Sequence, residues 1–129
     1  MVMSEEDCIA LLQTIRWDGK PICPYCTSTK CCSILDHRFH CNSCNAAFSV
    51  TVQTIFHQTR ISLTKWFIAI SFVTDPSIHI SSRSLAIAIG VNKHTGYRIL
   101  QQIDKALIDP VQNKIIQQIG LHYKGGNNV

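Results

Sequence analysis

The sequence predicts a small α+β protein, in which a short β-rich segment lies between an N-terminal helix and an all-helical C-terminal part. Two Cys-x-x-Cys pairs bracket residues 23–44, and the alternating residues between them favour short strands. Beyond about residue 60 the hydrophobic period changes from two to near 3.6, and residues that begin and end helices occur at matching intervals. The chain of 129 residues is long enough for one compact domain or for two small ones that share a boundary.

The first predicted element is an amphipathic helix over residues 4–15. Cys8 lies on its apolar stripe beside Leu11 and Leu12, so we expect a buried side chain that acts as a small hydrophobe. The N-terminus is acidic and lacks the basic start and apolar run of a secretory signal. No apolar stretch is long enough to span a membrane, so we expect no membrane partner and a cytoplasmic, DNA-associated location.

The two cysteine pairs, Cys23 with Cys26 and Cys41 with Cys44, have the spacing of a tetrahedral zinc site. Each pair can turn both sulfurs toward one point from a tight backbone knuckle, and Zn²⁺ binds four thiolates at about 2.3 Å. A disulfide framework would need an oxidising compartment, and a thioredoxin-type pair would need a strand-helix-strand context. The sequence indicates neither. We therefore expect one structural Zn²⁺ ion, because four cysteine ligands leave no open position for water or substrate.

A β-hairpin is expected between the knuckles and a third strand after them. Residues 31–35 and 38–40 fit the hairpin strands, with Asp36 and His37 as the turn. Apolar and polar residues alternate over residues 48–53, which indicates a third short strand. Three short strands and four cysteine ligands together predict a zinc ribbon.

The residue after each knuckle needs a backbone conformation that glycine usually supplies, with positive φ. Asn45 tolerates that conformation, whereas the β-branched Thr27 should either be strained or use a different angle. Cys31 and Cys32 point to opposite faces of a strand, so at most one of them could approach the metal. With a complete cysteine quartet, we interpret His40 and His57 as surface or packing residues, not ligands.

The helical part is predicted to begin with a central helix. Ser62 can cap a helix over residues 63–74 that is apolar almost all round, and Asp75-Pro76 ends it. After Asp109-Pro110, residues 111–119 fit a short amphipathic helix that Gly120 can end. The expected division of the chain is an N-terminal helix and ribbon (1–58), a helical DNA-binding region (59–120) and a flexible tail (121–129).

Between these helices lies the pattern of a helix-turn-helix. Residues 82–89 predict a short helix, Gly90-Val91 a tight turn, and Asn92 the cap of a longer helix over residues 93–108. Ala86 is small at the point where the two helices would cross. An apolar stripe that includes Gly96 would pack inward and leave a polar face outward.

In helix-turn-helix proteins, the first residues of the second helix meet base edges in the major groove. Arg98 could read guanine in this way and Asn92 could read adenine. A polar helix face can also be merely solvated, and a helical pair can bind a protein, so both alternatives stay open. The candidate recognition residues are Asn92, Lys93, His94, Tyr97 and Arg98, and the candidate phosphate contacts are Lys30, Arg38, Arg60 and Lys65.

Overall charge is weak evidence for a nucleic-acid partner. The formal net charge is +4 at pH 7. Four thiolates and one Zn²⁺ carry a combined charge of −2, which would lower the net charge to about +2. The positions of the basic residues are therefore better evidence for a nucleic-acid partner than the net charge.

Several motifs occur in a fixed order from Ser4 to about Ile103. They are the amphipathic start, Trp17, Cys23-Pro24-x-Cys26, Cys41-x-x-Cys44, Phe48-Ser-Val-Thr-x-x-Thr-Ile-Phe56, Thr59-Arg60, Lys65-Trp66-Phe67 and Leu85-Ala86 to Gly90-Val91. With these motifs the chain resembles the N-terminal region of zinc-ribbon insertion-sequence transposases, mobile-element enzymes whose catalytic part is an RNase-H-like domain with a DDE-type acidic triad. The resemblance implies that the ribbon and the helix-turn-helix bind double-stranded DNA at the terminal inverted repeats of the element.

The chain departs from that family after Pro110, where a catalytic domain would begin. Its acidic residues do not form the converging carboxylate clusters of a two-metal site, so we expect a non-catalytic DNA-binding module, truncated or stand-alone. One alternative is the N-terminal part of an active DDE transposase whose catalytic half is encoded separately. Another is a protein-interaction adaptor. A homodimer or a transposase partner also stays open.

Overall fold

The computed structural model describes residues 4–18, 20–35, 37–57 and 60–127. Its elements confirm the predicted small α+β class, with an N-terminal helix, a three-stranded sheet and a helical remainder. In chain order they are α1 (Glu5–Trp17), β1 (Cys31–Ile34), β2 (Arg38–Cys41), β3 (Ala47–Ser49), α2 (Leu63–Val73), α3 (Ser82–Ile89), α4 (Lys93–Ile108) and α5 (Pro110–Asn127).

Helix α1 begins with a capping box. The backbone N–H of Asp7 donates to the Ser4 hydroxyl at 3.1 Å, and the Asp7 carboxylate accepts from the Ser4 N–H at 3.4 Å. The helix buries Cys8, Leu12 and Trp17, which confirms Cys8 as a buried hydrophobic residue. It ends at Asp18, whose φ of 54° places it in the left-handed region.

The three strands form one antiparallel sheet in the order β1-β2-β3. Phe39 of β2 is opposite Phe48 of β3, and both rings contact the Trp17 ring at centroid distances of 5.5 and 5.7 Å. We call Trp17, Phe39 and Phe48 the aromatic cluster. It joins the end of α1 to the sheet, so the ribbon packs against this helix.

The third strand is shorter than predicted. The alternation over residues 48–53 predicted a strand to Gln53, but β3 ends at Ser49 and the chain then turns. Gln53 has a φ of 66°, and the Thr54 hydroxyl donates to the Thr51 carbonyl at 2.6 Å. Such local side-chain bonds compete with a strand ladder. Asp36 of the predicted hairpin turn lies outside the described residues, as do residues 58 and 59 at the expected domain boundary.

Helix α2 occupies the centre of the helical part, as predicted. It contacts α1, α3, α4 and α5, and it buries Leu63, Trp66, Phe67, Ala69 and Ile70. Its N-terminus has no acidic residue of its own. The Glu5 carboxylate of α1 supplies that charge by accepting from the N–H groups of Leu63 at 3.0 Å and Thr64 at 3.1 Å. Local sequence did not predict this contact.

The predicted end of the last helix at Gly120 is wrong. Helix α5 continues to Asn127, so the expected flexible tail is helical over residues 121–127. Gly120 faces Thr74 at the end of α2, where a Cβ would lie 3.0 Å from the Thr74 Cβ. Ile119 and Tyr123 are buried on either side of it. The glycine thus allows close helix packing and does not stop the helix.

Candidate metal centre and nucleic-acid interface

The four cysteines predicted as ligands come together at one point. The Sγ atoms of Cys23 and Cys44 are 3.7 Å apart, those of Cys26 and Cys41 are 3.5 Å apart, and all four lie within 4.8 Å of one another. A regular tetrahedron with Zn–S distances of about 2.3 Å has sulfurs about 3.8 Å apart. The quartet therefore fits one four-coordinate Zn²⁺ ion and leaves no position for a substrate.

Two knuckles of the same geometry present these sulfurs. The N–H of Thr27 donates to the Cys23 carbonyl, and the N–H of Asn45 donates to the Cys41 carbonyl, both at 2.9 Å. Thr27 and Asn45 have φ angles of 61° and 63°. Of the two conformations expected for the β-branched Thr27, the structure thus shows the strained one with positive φ. This strain costs on the order of 1–3 kcal/mol.

Backbone N–H groups favour the thiolate form of one quartet member, Cys41. The N–H of Cys44 donates to the Cys41 sulfur and lowers the pKa of Cys41 to about 6, with a further contribution from the N–H of Ser43. The N–H of Ser28 lowers the pKa of Cys26, but hydrogen bonds with the other three quartet sulfurs and desolvation together outweigh it and raise the pKa to about 12. Zinc binding requires the loss of the remaining thiol protons, so metal affinity falls in acid.

The other candidate ligands lie outside the quartet. Cys31 is half-buried and its thiol contacts the Ser28 carbonyl at 3.5 Å, whereas Cys32 is exposed. The His40 ring bonds to the Asn42 amide oxygen at 3.2 Å. Within the part of the chain that the structure describes, no second group of three or more cysteine, histidine or acidic side chains converges on a common point.

Helices α3 and α4 cross as the sequence predicted. Gly90 joins them in the left-handed region, with a φ of 74°, and the Val91 N–H donates to the Ala86 carbonyl at 2.9 Å. A Cβ on Gly96 would lie 2.7 Å from the Ser82 carbonyl oxygen and 2.9 Å from the Ala86 Cβ. The two helices are therefore in backbone contact, and their relative orientation depends on a glycine facing an alanine.

The candidate recognition residues share the exposed side of α4, opposite its buried stripe. We call Lys93, His94, Tyr97 and Arg98, all exposed, the outer face of α4. Gln101 extends it, since its amide donates to the Tyr97 hydroxyl at 3.0 Å. Gln101 is not among the residues predicted from the sequence, although its i+4 spacing from Tyr97 is a usable signal.

Asn92 precedes this face and is already engaged. Its amide oxygen accepts from the Thr95 N–H at 2.8 Å and caps α4. The bidentate reading of adenine considered for Asn92 would have to share that oxygen. We therefore assign Asn92 first to the start of the helix.

The candidate phosphate contacts lie in different places. Lys30 and Arg38 are exposed on the ribbon, and Lys65 is half-buried on α2. Arg60 and Arg98 line a common cleft of about 690 Å³ between the segment that leaves the ribbon and α4. Of the candidate phosphate contacts, the structure thus places Arg60 beside the outer face of α4.

No helix among the described residues combines the length and apolar character needed to cross a membrane.

Comparisons with known proteins agree with this architecture. Residues 3–47 match the family described as a transposase zinc-ribbon domain. Over 112 residues, which cover 84% of this chain and 37% of the relative, the chain is 30% identical to a Halobacterium salinarum protein described as an uncharacterized protein in transposable element ISH50. The chain thus spans little more than a third of that relative's length. No solved structure matches the chain significantly. The predicted resemblance is confirmed: residues 3–47 match a transposase zinc-ribbon family.

Proposed function

We propose that this chain is the DNA-binding module of an insertion-element protein and that it recognises terminal inverted repeats in double-stranded DNA. The observation that carries the proposal is the contact of Gly96 with Ala86 and Ser82, which holds α3 and α4 in a helix-turn-helix and leaves the outer face of α4 exposed. The relative in a transposable element supports the same setting. Such a protein would act on DNA in the cytoplasm.

In this proposal the two parts of the chain have different roles. The outer face of α4 enters the major groove, where Tyr97 and Lys93 reach base edges or phosphates. The ribbon, held by zinc, presents Lys30 and Arg38 to the DNA backbone. Zinc therefore contributes a folded surface and no chemistry, because its four ligands are all cysteines.

Selection from a pool of random DNA duplexes with the zinc-loaded protein would test the proposal. We expect enrichment of a common motif, and a loss of affinity for it of about tenfold or more when Lys93, Tyr97 and Arg98 are all replaced by alanine. A matched control replaces Lys114, Gln118 and His122, which line a groove between α1 and α5, by alanine. An unchanged affinity of the first variant, or an equal loss in both, would reject α4 as the recognition element.

A second candidate function is the DNA-binding part of an active DDE transposase whose catalytic half is encoded separately. It is favoured by one observation, namely that the chain spans only 37% of its relative. Sequencing the DNA that follows the codon for Val129 would test it. A reading frame that encodes a DDE domain, and that restores strand cleavage when its product is added to this chain, would support this candidate over the stand-alone module.

A further inference from the structure

A cleft lies where the ribbon meets the helix-turn-helix, and we call it the junction cleft. The segment that leaves the ribbon forms one wall, with His57 and Arg60, and α4 forms the other, with Arg98 and Gln102. Its volume is about 690 Å³, and its floor includes the buried Ile99. No acidic side chain occurs among the described residues that line it. Two arginines thus line one open cleft, and none of its described lining residues is acidic.

Arg98 lies on the side of α4 that faces the ribbon. Thr95 and Gln102, three residues before it and four after it, line the same cleft, as expected for neighbours on one side of a helix. Tyr97 and Gln101 pair with each other on the adjacent side and do not line the cleft. The outer face of α4 is therefore divided, with Tyr97 directed outward and Arg98 at the edge nearest the ribbon.

We propose that the junction cleft binds a phosphate group of one DNA strand, held by Arg60 from the ribbon side and Arg98 from α4. This inference rests on the proposed DNA-binding function and deepens it. It assigns Arg98 to the backbone, in place of the guanine contact expected from the sequence, and it adds His57 and Gln102 as donors at the rim.

The chemistry of the cleft favours phosphate over a base edge. Guanidinium groups donate in a planar fork that matches two phosphate oxygens, and two arginines line this one cleft. Base edges lie deep in the major groove and are read by side chains that project from a convex surface, whereas a concave site between two elements admits the protruding backbone. A phosphate in the cleft would contact both α4 and the segment that follows the ribbon, so this segment would contribute to affinity directly.

Fluorescence anisotropy with a short mixed-sequence DNA duplex, over a range of salt concentrations, tests this proposal. The variants are Arg60→Gln, Arg98→Gln and the double variant, with Lys114→Gln on α5 as the matched loss of one charge. We expect the double variant to reduce the slope of log affinity against log salt by about 0.9, the value for one phosphate, and each single variant to show part of that reduction. The double variant should lose less affinity than the two single losses combined. Arg60→Lys and Arg98→Lys keep the charge and should keep the slope, which separates charge from folding effects.

Three results overturn the proposal in distinguishable ways. If either glutamine variant keeps the salt slope of the wild-type protein, that arginine does not contact the phosphate. A loss for Arg98→Gln that appears at one base pair of a selected motif, with an unchanged slope, makes Arg98 a base reader. If the wild-type protein binds neither a random nor a selected duplex, the proposed DNA-binding function itself is wrong, whatever the variants show.

Discussion

The ribbon and the helical part of this chain hold their functional groups in place by different means. The ribbon has strands of three and four residues and a core built on the aromatic cluster, with the buried Cys23 and Cys41. The helical part packs its apolar side chains around α2, and none of its described residues belongs to the cysteine quartet. Small sheets of this size are marginal alone. The comparison indicates that zinc stabilises the first region, whereas apolar packing stabilises the second.

Removal of zinc should have the largest effect and should separate the two regions. Apparent binding energies of about 10–16 kcal/mol are typical of structural zinc sites, so chelation should disorder the ribbon while the helices persist. The chain has two tryptophans, Trp17 in the aromatic cluster and Trp66 in the helical core. In a Trp66→Phe variant the fluorescence should shift to longer wavelength on chelation, and in a Trp17→Phe variant it should not.

Two cysteine variants sharpen this test. In the Trp66→Phe background, Cys41→Ser should bind no zinc, and its fluorescence should match that of the chelated Trp66→Phe protein. In the same background, Cys8→Ala should retain one ion, since Cys8 lies outside the quartet. If both tryptophans respond to chelation together, the two regions form one cooperative unit and the comparison is wrong.

Gly96→Ala should have the next largest effect, and it should act on the helical part alone. The added Cβ would overlap the Ser82 carbonyl and Ala86, and overpacking of this kind costs about 1–3 kcal/mol. Thermal unfolding of the zinc-loaded protein would measure the loss. Gly90→Ala is the matched control, because its Cβ would meet nothing within 4 Å and the variant would be strained only by the positive φ, at about 1–2 kcal/mol. Equal zinc stoichiometry in both variants would show that the ribbon is unaffected. A Gly96→Ala protein that is more stable than the wild-type protein would contradict the close crossing of α3 and α4.

Glu5→Ala should produce a smaller loss, because it removes the carboxylate that caps α2 from α1. The loss of a helix cap costs about 0.5–2 kcal/mol. Chemical denaturation would measure it against Glu6→Ala, a change at the exposed neighbouring position. An equal effect of the two substitutions would mean that the contact between α1 and α2 does not depend on this cap.

The smallest expected effect concerns alkaline pH. Burial raises the pKa of Cys8 from its ordinary value of 9.0 to about 11. A thiol that is harder to ionise in the folded state stabilises the fold below the unfolded pKa, and this contribution is lost as the pH rises from about 9 toward 11. The free energy of unfolding should therefore fall in this window for the wild-type protein and fall less for Cys8→Ala. Parallel curves for the two proteins would contradict the burial of this thiol.

The sequence predicted those features that depend on neighbouring residues. The bounds of α3 and α4 follow from caps within a few residues, such as Asn92 and Gly90, and the quartet follows from spacing alone. Two of the missed features came from distant contacts. Gly120 has the local signature of a helix end, yet it meets Thr74 from another helix, and Glu5 caps a helix 58 residues away. The early end of β3 was missed because local hydroxyl bonds and the positive φ of Gln53 outweigh alternation.

The most direct test of the central claim is DNA binding by the zinc-loaded chain, measured before chelation, after chelation and after zinc is restored. With a duplex selected from a random pool, we expect a specific dissociation constant of about 10⁻⁸ M or below, loss of affinity on chelation and recovery with zinc. The alanine variant at Lys93, Tyr97 and Arg98 should fail to recover it. A chain that enriches no sequence and binds duplex DNA no better with zinc than without it would contradict the account.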